Sequence, residues 1–106
     1  MNVISLPNEF LGTGEVSGFT FKLVETSNTG HLYEVVSEDS TPHYEVFKRR
    51  LVPICIDFNN RIYSDVDFKE TYPKAKDFGI WAWTFKTLRD ALDKFGELNI
   101  RKEENG

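Results

Sequence analysis

Cysteine is almost absent from this chain of 106 residues, since Cys55 is the single one. An intramolecular disulfide is therefore excluded, and so is a metal site built from several cysteines. The chain also has no long apolar run, and its first basic residue is Lys22. A signal peptide needs a basic start followed by an apolar run, and a membrane-spanning helix needs a longer apolar run. The sequence therefore predicts a cytoplasmic protein with no membrane contact.

Positive charge is scarce as well, with 13 basic against 17 acidic residues and a formal net charge of −4. Residues 1–53 hold four basic and seven acidic side chains, and residues 54–106 hold nine and ten. A protein that binds nucleic acid through phosphates needs a broad positive field, which neither half provides. The charge balance therefore disfavours nucleic acid as a partner.

Motifs of known chemistry are missing too. His31 and His43 have no second histidine, cysteine or carboxylate at a recognised metal-ligand spacing. Gly12 and Gly14 are followed by Gly18, one residue too far for the dinucleotide-binding fingerprint, and no serine lies in a nucleophile elbow. We therefore expect no metal, no cofactor and no catalytic residues, which indicates a protein that is not an enzyme.

Aromatic residues, in contrast, are abundant at 14%, which favours a sheet because aromatic side chains suit pleated, half-buried surfaces. Residues 18–25 alternate between apolar and polar, and residues 31–36 follow after a turn at 27–30. A polar segment over 37–42 that contains a proline is predicted to be another turn, and residues 43–51 are predicted to form a third strand. Three strands joined by short turns predict an antiparallel meander.

The last third of the sequence predicts one more strand and one helix. Residues 79–85 alternate so that Trp81, Trp83 and Phe85 share a face. Thr87 has the position of a helix N-cap. The apolar residues that follow it recur at helical spacing and form one stripe, namely Leu88, Ala91, Leu92, Phe95 and Leu98.

These elements define the predicted fold class. We expect an α+β protein in the order β-β-β-(ββ)-β-α, with an antiparallel sheet of four to six strands and one C-terminal amphipathic helix packed on one face. Residues 1–106 are predicted to form a single domain. Within it, residues 1–17 are an irregular N-terminal arm, residues 52–78 a variable excursion, and residues 100–106 a frayed tail.

Two interpretations of residues 52–78 stay open at this point. Asn59 and Asn60 tolerate left-handed backbone angles and stand between two apolar stretches, so the segment contains a small hairpin in one interpretation. In the other it is a long, partly ordered connection. Long connections in compact domains are uncommon and often functional, so this segment is where we expect the protein's distinguishing feature.

A single short helix cannot cover both faces of such a sheet, so the second face becomes a candidate interaction surface. The tryptophan stripe is either the core beneath the helix or an exposed apolar patch. The basic triplet at 48–50 is either a charged strand end that discourages edge pairing or an anchor for an acidic partner. The candidate surface consists of Trp81, Trp83, Tyr44, Lys48, Arg49 and Arg50.

The segment from Tyr72 to Phe85, with Tyr44-Glu45-Val46-Phe47 upstream and the helix downstream, covers about half the chain. It resembles small uncharacterised proteins of phages and other bacterial mobile elements. This resemblance implies an origin in the bacterial cytoplasm, or in the host cytoplasm for a phage-encoded protein. It transfers no activity and no site residue.

The expected function is that of a non-enzymatic protein-interaction module. Examples are a phage-encoded modulator of a host protein and a self-associating accessory factor, whose partner is another protein or a second copy in a homodimer. The alternative is an accessory protein that binds single-stranded nucleic acid with the aromatic and basic side chains of the candidate surface.

Overall fold

The computed structural model describes residues 2–104. The chain divides into a larger unit, Pro7–Lys48 with Pro73–Gly106, and a hairpin unit, Met1–Leu6 with Arg49–Tyr72. The strands are, in chain order, β1 (Asn2–Ile4), β2 (Glu9–Leu11), β3 (Thr20–Thr26), β4 (Gly30–Ser37), β5 (Ser40–Lys48), β6 (Leu51–Asp57), β7 (Ile62–Glu70) and β8 (Ala82–Phe85). The helix α1 (Leu88–Glu104) follows, and two short 3-10 turns lie at Gly14–Val16 and Ala75–Asp77.

The larger unit is built on a five-stranded antiparallel sheet in the order β2-β3-β4-β5-β8. Its centre is the predicted meander of β3, β4 and β5, and α1 packs against β4, β5 and β8. The predicted α+β class, with four to six antiparallel strands and one C-terminal helix on the sheet, is confirmed.

The helix face of this sheet holds one core. Leu32 on β4 and Val46 on β5 are neighbours in register, and both are fully buried. The helix contributes Ala91, Phe95 and Leu98 to the same cluster. Tyr44, Trp83 and Phe85 are partly buried against it.

The opposite face of the sheet carries a second set of buried side chains, and we call it the aromatic face. Strand alternation projects Phe21, Tyr33 and Phe47 from this side, and all three are fully buried. The rings of Tyr33 and Phe47 are stacked with their centroids 5.7 Å apart, and the rings of Phe10 and Phe21 are stacked with their centroids 4.7 Å apart. The prediction that the second face is open to another molecule is wrong for this part of the sheet, because its aromatic centre is already out of contact with water.

The N-terminal arm packs on the aromatic face through a short strand that the sequence pattern does not predict. Part of the segment expected to be irregular forms β2, which pairs with β3 and brings Phe10 beside Phe21. The Tyr33 hydroxyl donates to the Pro7 carbonyl oxygen at 2.8 Å. Three-residue strands are too short to show alternation, which is why the pattern did not predict them.

The helix is longer than its apolar stripe. Its first turn is capped as predicted, since Thr87 Oγ1 accepts a hydrogen bond from the Asp90 backbone N–H at 3.2 Å. Its backbone continues to Glu104, through most of the expected tail, and residues 105 and 106 lie outside the described residues. Near its end, Asn99 Oδ1 accepts a hydrogen bond from the Ser27 hydroxyl at 2.8 Å, which ties α1 to the β3–β4 turn.

Gly30 permits the close approach at this end of the helix. A Cβ atom at this position would lie 2.8 Å from the Phe47 carbonyl oxygen and 3.1 Å from Leu98 Cδ1. Any other residue would therefore force β5 or the helix to move.

The hairpin unit is a three-stranded sheet in the order β1-β7-β6. β6 and β7 are antiparallel, and β1 pairs with β7 in parallel. The hairpin interpretation of residues 52–78 is thus confirmed, with Asn59 and Asn60 in the connecting turn. The predicted third strand over 43–51 instead ends at Lys48, and β6 begins at Leu51 in the other sheet. The change of sheet falls within the basic triplet at 48–50, where no glycine or proline marks a break.

Candidate functional site

Trp81 does not belong to an exposed stripe. Its side chain is only 7% exposed and contacts Phe47 on the aromatic face, with the ring centroids 6.5 Å apart. The predicted strand over 79–85 begins only at Ala82, because Asp77 O accepts the Ile80 and Trp81 amides in a turn. Gly79 adopts φ +93° in this turn. The turn breaks the alternation, so the prediction that Trp81 shares a face with Trp83 is wrong.

Trp83 and Tyr44 lie on the helix face instead. Trp83 pairs in register with Val46, and Tyr44 pairs with Phe85. The Lys94 ammonium nitrogen lies 4.0 Å from the centroid of the Trp83 ring, in a cation–π contact. Both aromatic side chains therefore contribute to the packing of α1 on the sheet.

The basic triplet is divided as well. Lys48 ends β5 in the larger unit, whereas Arg49 and Arg50 belong to the hairpin unit. Arg49 Nε donates to the buried Glu70 carboxylate at 2.5 Å, and Glu70 also accepts the Leu6 amide at 2.9 Å. Arg49 thus neutralises a buried acid in its own unit. The predicted aromatic residues thus lie on two faces of the main sheet, and the predicted basic residues belong to two different units.

A different apolar surface is exposed at the end of the β6–β7 hairpin, which we call the hairpin tip (residues 55–63). Phe58 in the turn is 83% exposed and Ile56 is 67% exposed. Cys55 and Tyr63 are cross-strand neighbours, so they share one face of the hairpin. The exposed side chains of the tip with apolar character are Cys55, Ile56, Phe58, Ile62 and Tyr63.

Asp57 holds the turn in a fixed shape. Its Oδ1 atom accepts the backbone N–H groups of Asn59 at 3.1 Å and Asn60 at 3.3 Å, and Oδ2 accepts the Asn60 side-chain amide at 2.8 Å. The Asn60 side-chain hydrogen bond contributes most to lowering the Asp57 pKa below its ordinary value. Arg61 adopts φ +54° and donates its N–H to Phe58 O at 3.2 Å. Phe58 is therefore presented on a constrained loop.

The larger unit contains an open cleft of about 860 Å³. It lies between the segment that leads into β3 and the β4–β5 turn. Leu11, Phe19 and Val36 supply apolar wall, and Glu38 and Asp39 supply acidic side chains. The remaining lining residues are Gly12, Ser17, Gly18, Thr20 and Ser37. The lining contains no basic residue.

Comparison of the chain with protein-family models, curated proteins and solved structures finds no match. The expected likeness to phage proteins thus receives no support from a relative.

The ligand-type side chains of the described residues are not gathered into a metal-binding group. Among residues 2–104, no group of three or more histidine, cysteine, aspartate or glutamate side chains is placed to hold a metal ion. His43 Nε2 lies 3.5 Å from the carboxylate of Glu45, which is buried on the aromatic face. No helix in this part of the chain is both long and apolar enough to cross a membrane.

The sequence pattern does not single out the hairpin tip as a candidate surface, because periodicity does not distinguish exposed from buried residues there. The sequence showed Ile54-Cys55-Ile56-Asp57-Phe58 before Asn59-Asn60, an apolar run that suits a buried strand as well as an exposed one. An unburied Phe next to a turn cannot be told from a buried one by periodicity. The one feature of the sequence that points to this region is the length of the connection over residues 52–78, since long connections are often functional.

Proposed function

We propose that this protein is a non-enzymatic protein-interaction module and that the hairpin tip is the part that binds its partner. The observation that carries the proposal is Phe58, a large aromatic side chain that is 83% exposed. Large apolar side chains exposed together usually mark an interaction site, and aromatic residues supply much of the energy of such sites.

The fixed turn strengthens this interpretation. A loop held by Asp57 loses little conformational freedom on binding, so more of the contact energy of Phe58 appears as affinity. Ile56 and Ile62, on the strand ends that adjoin the turn, are exposed as well and add apolar surface to the tip. The arrangement suits insertion of the tip into an apolar pocket of another protein.

Charge favours protein over nucleic acid as the partner. The hairpin unit holds four basic residues, Arg49, Arg50, Arg61 and Lys69, and four acidic ones, Asp57, Asp65, Asp67 and Glu70. A unit with equal numbers of basic and acidic residues does not make the broad positive field that favours binding to phosphates. As a phage-encoded modulator or accessory factor, such a module would act in the bacterial or host cytoplasm, with another protein or a second copy as partner.

The proposal is tested by selecting binders from a disulfide-constrained random peptide library against the immobilised protein. We expect the selected peptides to lose at least about tenfold in affinity for Phe58→Ser. Ile80→Ser, at an exposed apolar residue of the larger unit, is the matched control and should bind them as the parent protein does.

Thermal unfolding and a proton–nitrogen NMR spectrum establish that both variants are folded. Peptides that bind Phe58→Ser as tightly as the parent protein would show that the dominant binding surface lies elsewhere, and the proposed role of the tip would be wrong.

A further inference from the structure

We propose that the partner of the hairpin tip is a second copy of this chain, whose cleft between the β2–β3 segment and the β4–β5 turn receives Phe58. This inference rests on the proposed function and adds the identity of the partner to it. It assigns a role to the cleft, which is open and carries apolar side chains on its walls.

The apolar parts of the two surfaces correspond. A buried Phe side chain removes about 150–250 Å² from water, and a cleft of about 860 Å³ is within the range that proteins use to enclose small ligands. Leu11 is largely exposed and Phe19 and Val36 are partly exposed, so these cleft residues retain apolar surface for a partner.

Arg61 of the tip and the acidic turn of the cleft carry opposite charges, whereas the Asp57 carboxylate of the tip accepts hydrogen bonds from within its own turn. Arg61 is exposed three residues after Phe58, and its backbone N–H bonds to Phe58 O, so the backbones of the two residues are held together. The cleft presents Glu38 and Asp39, both exposed, without a basic residue in its lining. Docking of Phe58 into the cleft pairs Arg61 with this acidic turn.

The contact joins two different surfaces, so a joined pair keeps one unused tip, on one copy, and one unused cleft, on the other. Such a head-to-tail contact closes into rings or continues as open chains, unlike a two-fold dimer that uses the same patch twice. The average mass should therefore rise with concentration without stopping at a dimer. The interface is small, so the association is expected to be weak and transient.

Sedimentation velocity at protein concentrations up to about 1 mM measures self-association and tests this model. Every protein in the series carries Cys55→Ser as the background, so that no disulfide joins the copies. We expect Phe58→Ser to weaken self-association at least about tenfold, and Glu38→Lys with Asp39→Asn to do the same. Asn is chosen at position 39 because it suits a turn. Asp90→Lys with Asp93→Asn makes the same charge change on the exposed side of α1 and should leave association unchanged.

Two further measurements depend on the head-to-tail geometry. Phe58→Ser keeps an intact cleft, and Glu38→Lys with Asp39→Asn keeps an intact tip. A mixture of these two variants should give a heterodimer and no larger species, because the only intact tip and the only intact cleft are both used in joining the pair. Arg61→Glu should weaken association, and combining it with Glu38→Lys and Asp39→Asn in the same chain should restore it.

The outcomes separate this inference from the proposed function. If Phe58→Ser weakens association and the cleft variant does not, the tip binds a second copy elsewhere and the role of the cleft is wrong. If the background protein is monomeric at every concentration, the second copy is not the partner, whereas the peptide selection still decides whether the tip binds proteins.

Discussion

Asp57 organises the hairpin tip with a single carboxylate. It accepts two backbone N–H groups and one side-chain amide within three residues of sequence, which replaces water as the partner of these donors. The ionised form makes these bonds best, so the fold lowers the Asp57 pKa. The shape of the loop that presents Phe58 is thus coupled to the charge of its neighbour.

We predict that Asn60→Ala raises the Asp57 pKa toward the ordinary value for aspartate, since the largest cause of its lowering is removed. The folded pKa lies below the unfolded one, so the turn is fully supported above the unfolded value and loses support as pH falls through the folded value. An NMR titration of the Asp57 carboxyl carbon measures this.

Asn59→Ala is the matched control for this titration, because it keeps the backbone N–H that Asp57 accepts. An Asp57 pKa that is the same in Asn60→Ala and in the parent protein would contradict the role given to the side-chain amide.

At the scale of elements, the contact between α1 and the sheet is narrower than the apolar pattern of the helix. Ala91, Phe95 and Leu98 are buried, whereas Leu92 is 41% exposed and Leu88 is similarly exposed. The predicted stripe of five core residues is therefore wrong at these two positions. Leu92 follows Ala91 by one residue, about 100° around the helix, which turns it away from the line of contact.

This difference predicts unequal costs for two substitutions in the same helix. Phe95→Ala should lower the free energy of unfolding by about 3–5 kcal/mol, because it leaves a cavity against Leu32 and Val46. Leu92→Ala should cost less than about 1.5 kcal/mol, since much of its side chain already meets water. Urea unfolding followed by circular dichroism compares them, and equal costs would refute this placement of the helix.

At the scale of the whole molecule, charge and apolar surface are distributed unequally between the two units. The hairpin unit is neutral, so the net charge of −4 resides in the larger unit, which holds nine basic and 13 acidic residues. The larger unit has no aromatic residue among its exposed large apolar side chains, which are Leu11, Val24, Ile80, Leu88 and Leu92 in the described part of the chain. The exposed apolar groups of the hairpin unit include Ile4, Ile56, Phe58, Ile62, Tyr63 and Val66.

This distribution makes a prediction about single-stranded nucleic acid. Titration of an oligothymidine against tryptophan fluorescence should produce no salt-dependent quenching, because Trp81 is buried and Trp83 is covered by Lys94. The net negative charge also opposes the approach of phosphates. Quenching that weakens steadily as salt rises would instead support the nucleic-acid alternative.

Local sequence patterns were sufficient for much of the fold. Alternation over β3 and β4, the Asn28–Gly30 turn and the Thr87 cap each act over a few residues, so the class and order of the main sheet could be predicted. Local patterns were insufficient where one or two residues decide which face a side chain takes or which sheet a strand joins. The turn closed by Asp77 O reverses the side of Trp81, and the passage from Lys48 to Leu51 changes the sheet.

The sequence by itself determined an α+β protein with net negative charge and a helix on an antiparallel sheet, because composition and period are local properties of a chain. Only the tertiary structure decided which apolar side chains meet water. Trp81 follows Ile80 directly and Phe58 stands two residues after Ile56, so both lie close to apolar sequence. Long-range packing leaves Trp81 buried against Phe47 and Phe58 exposed. Burial depends on what packs against a residue, and that information is not contained in its neighbours along the chain.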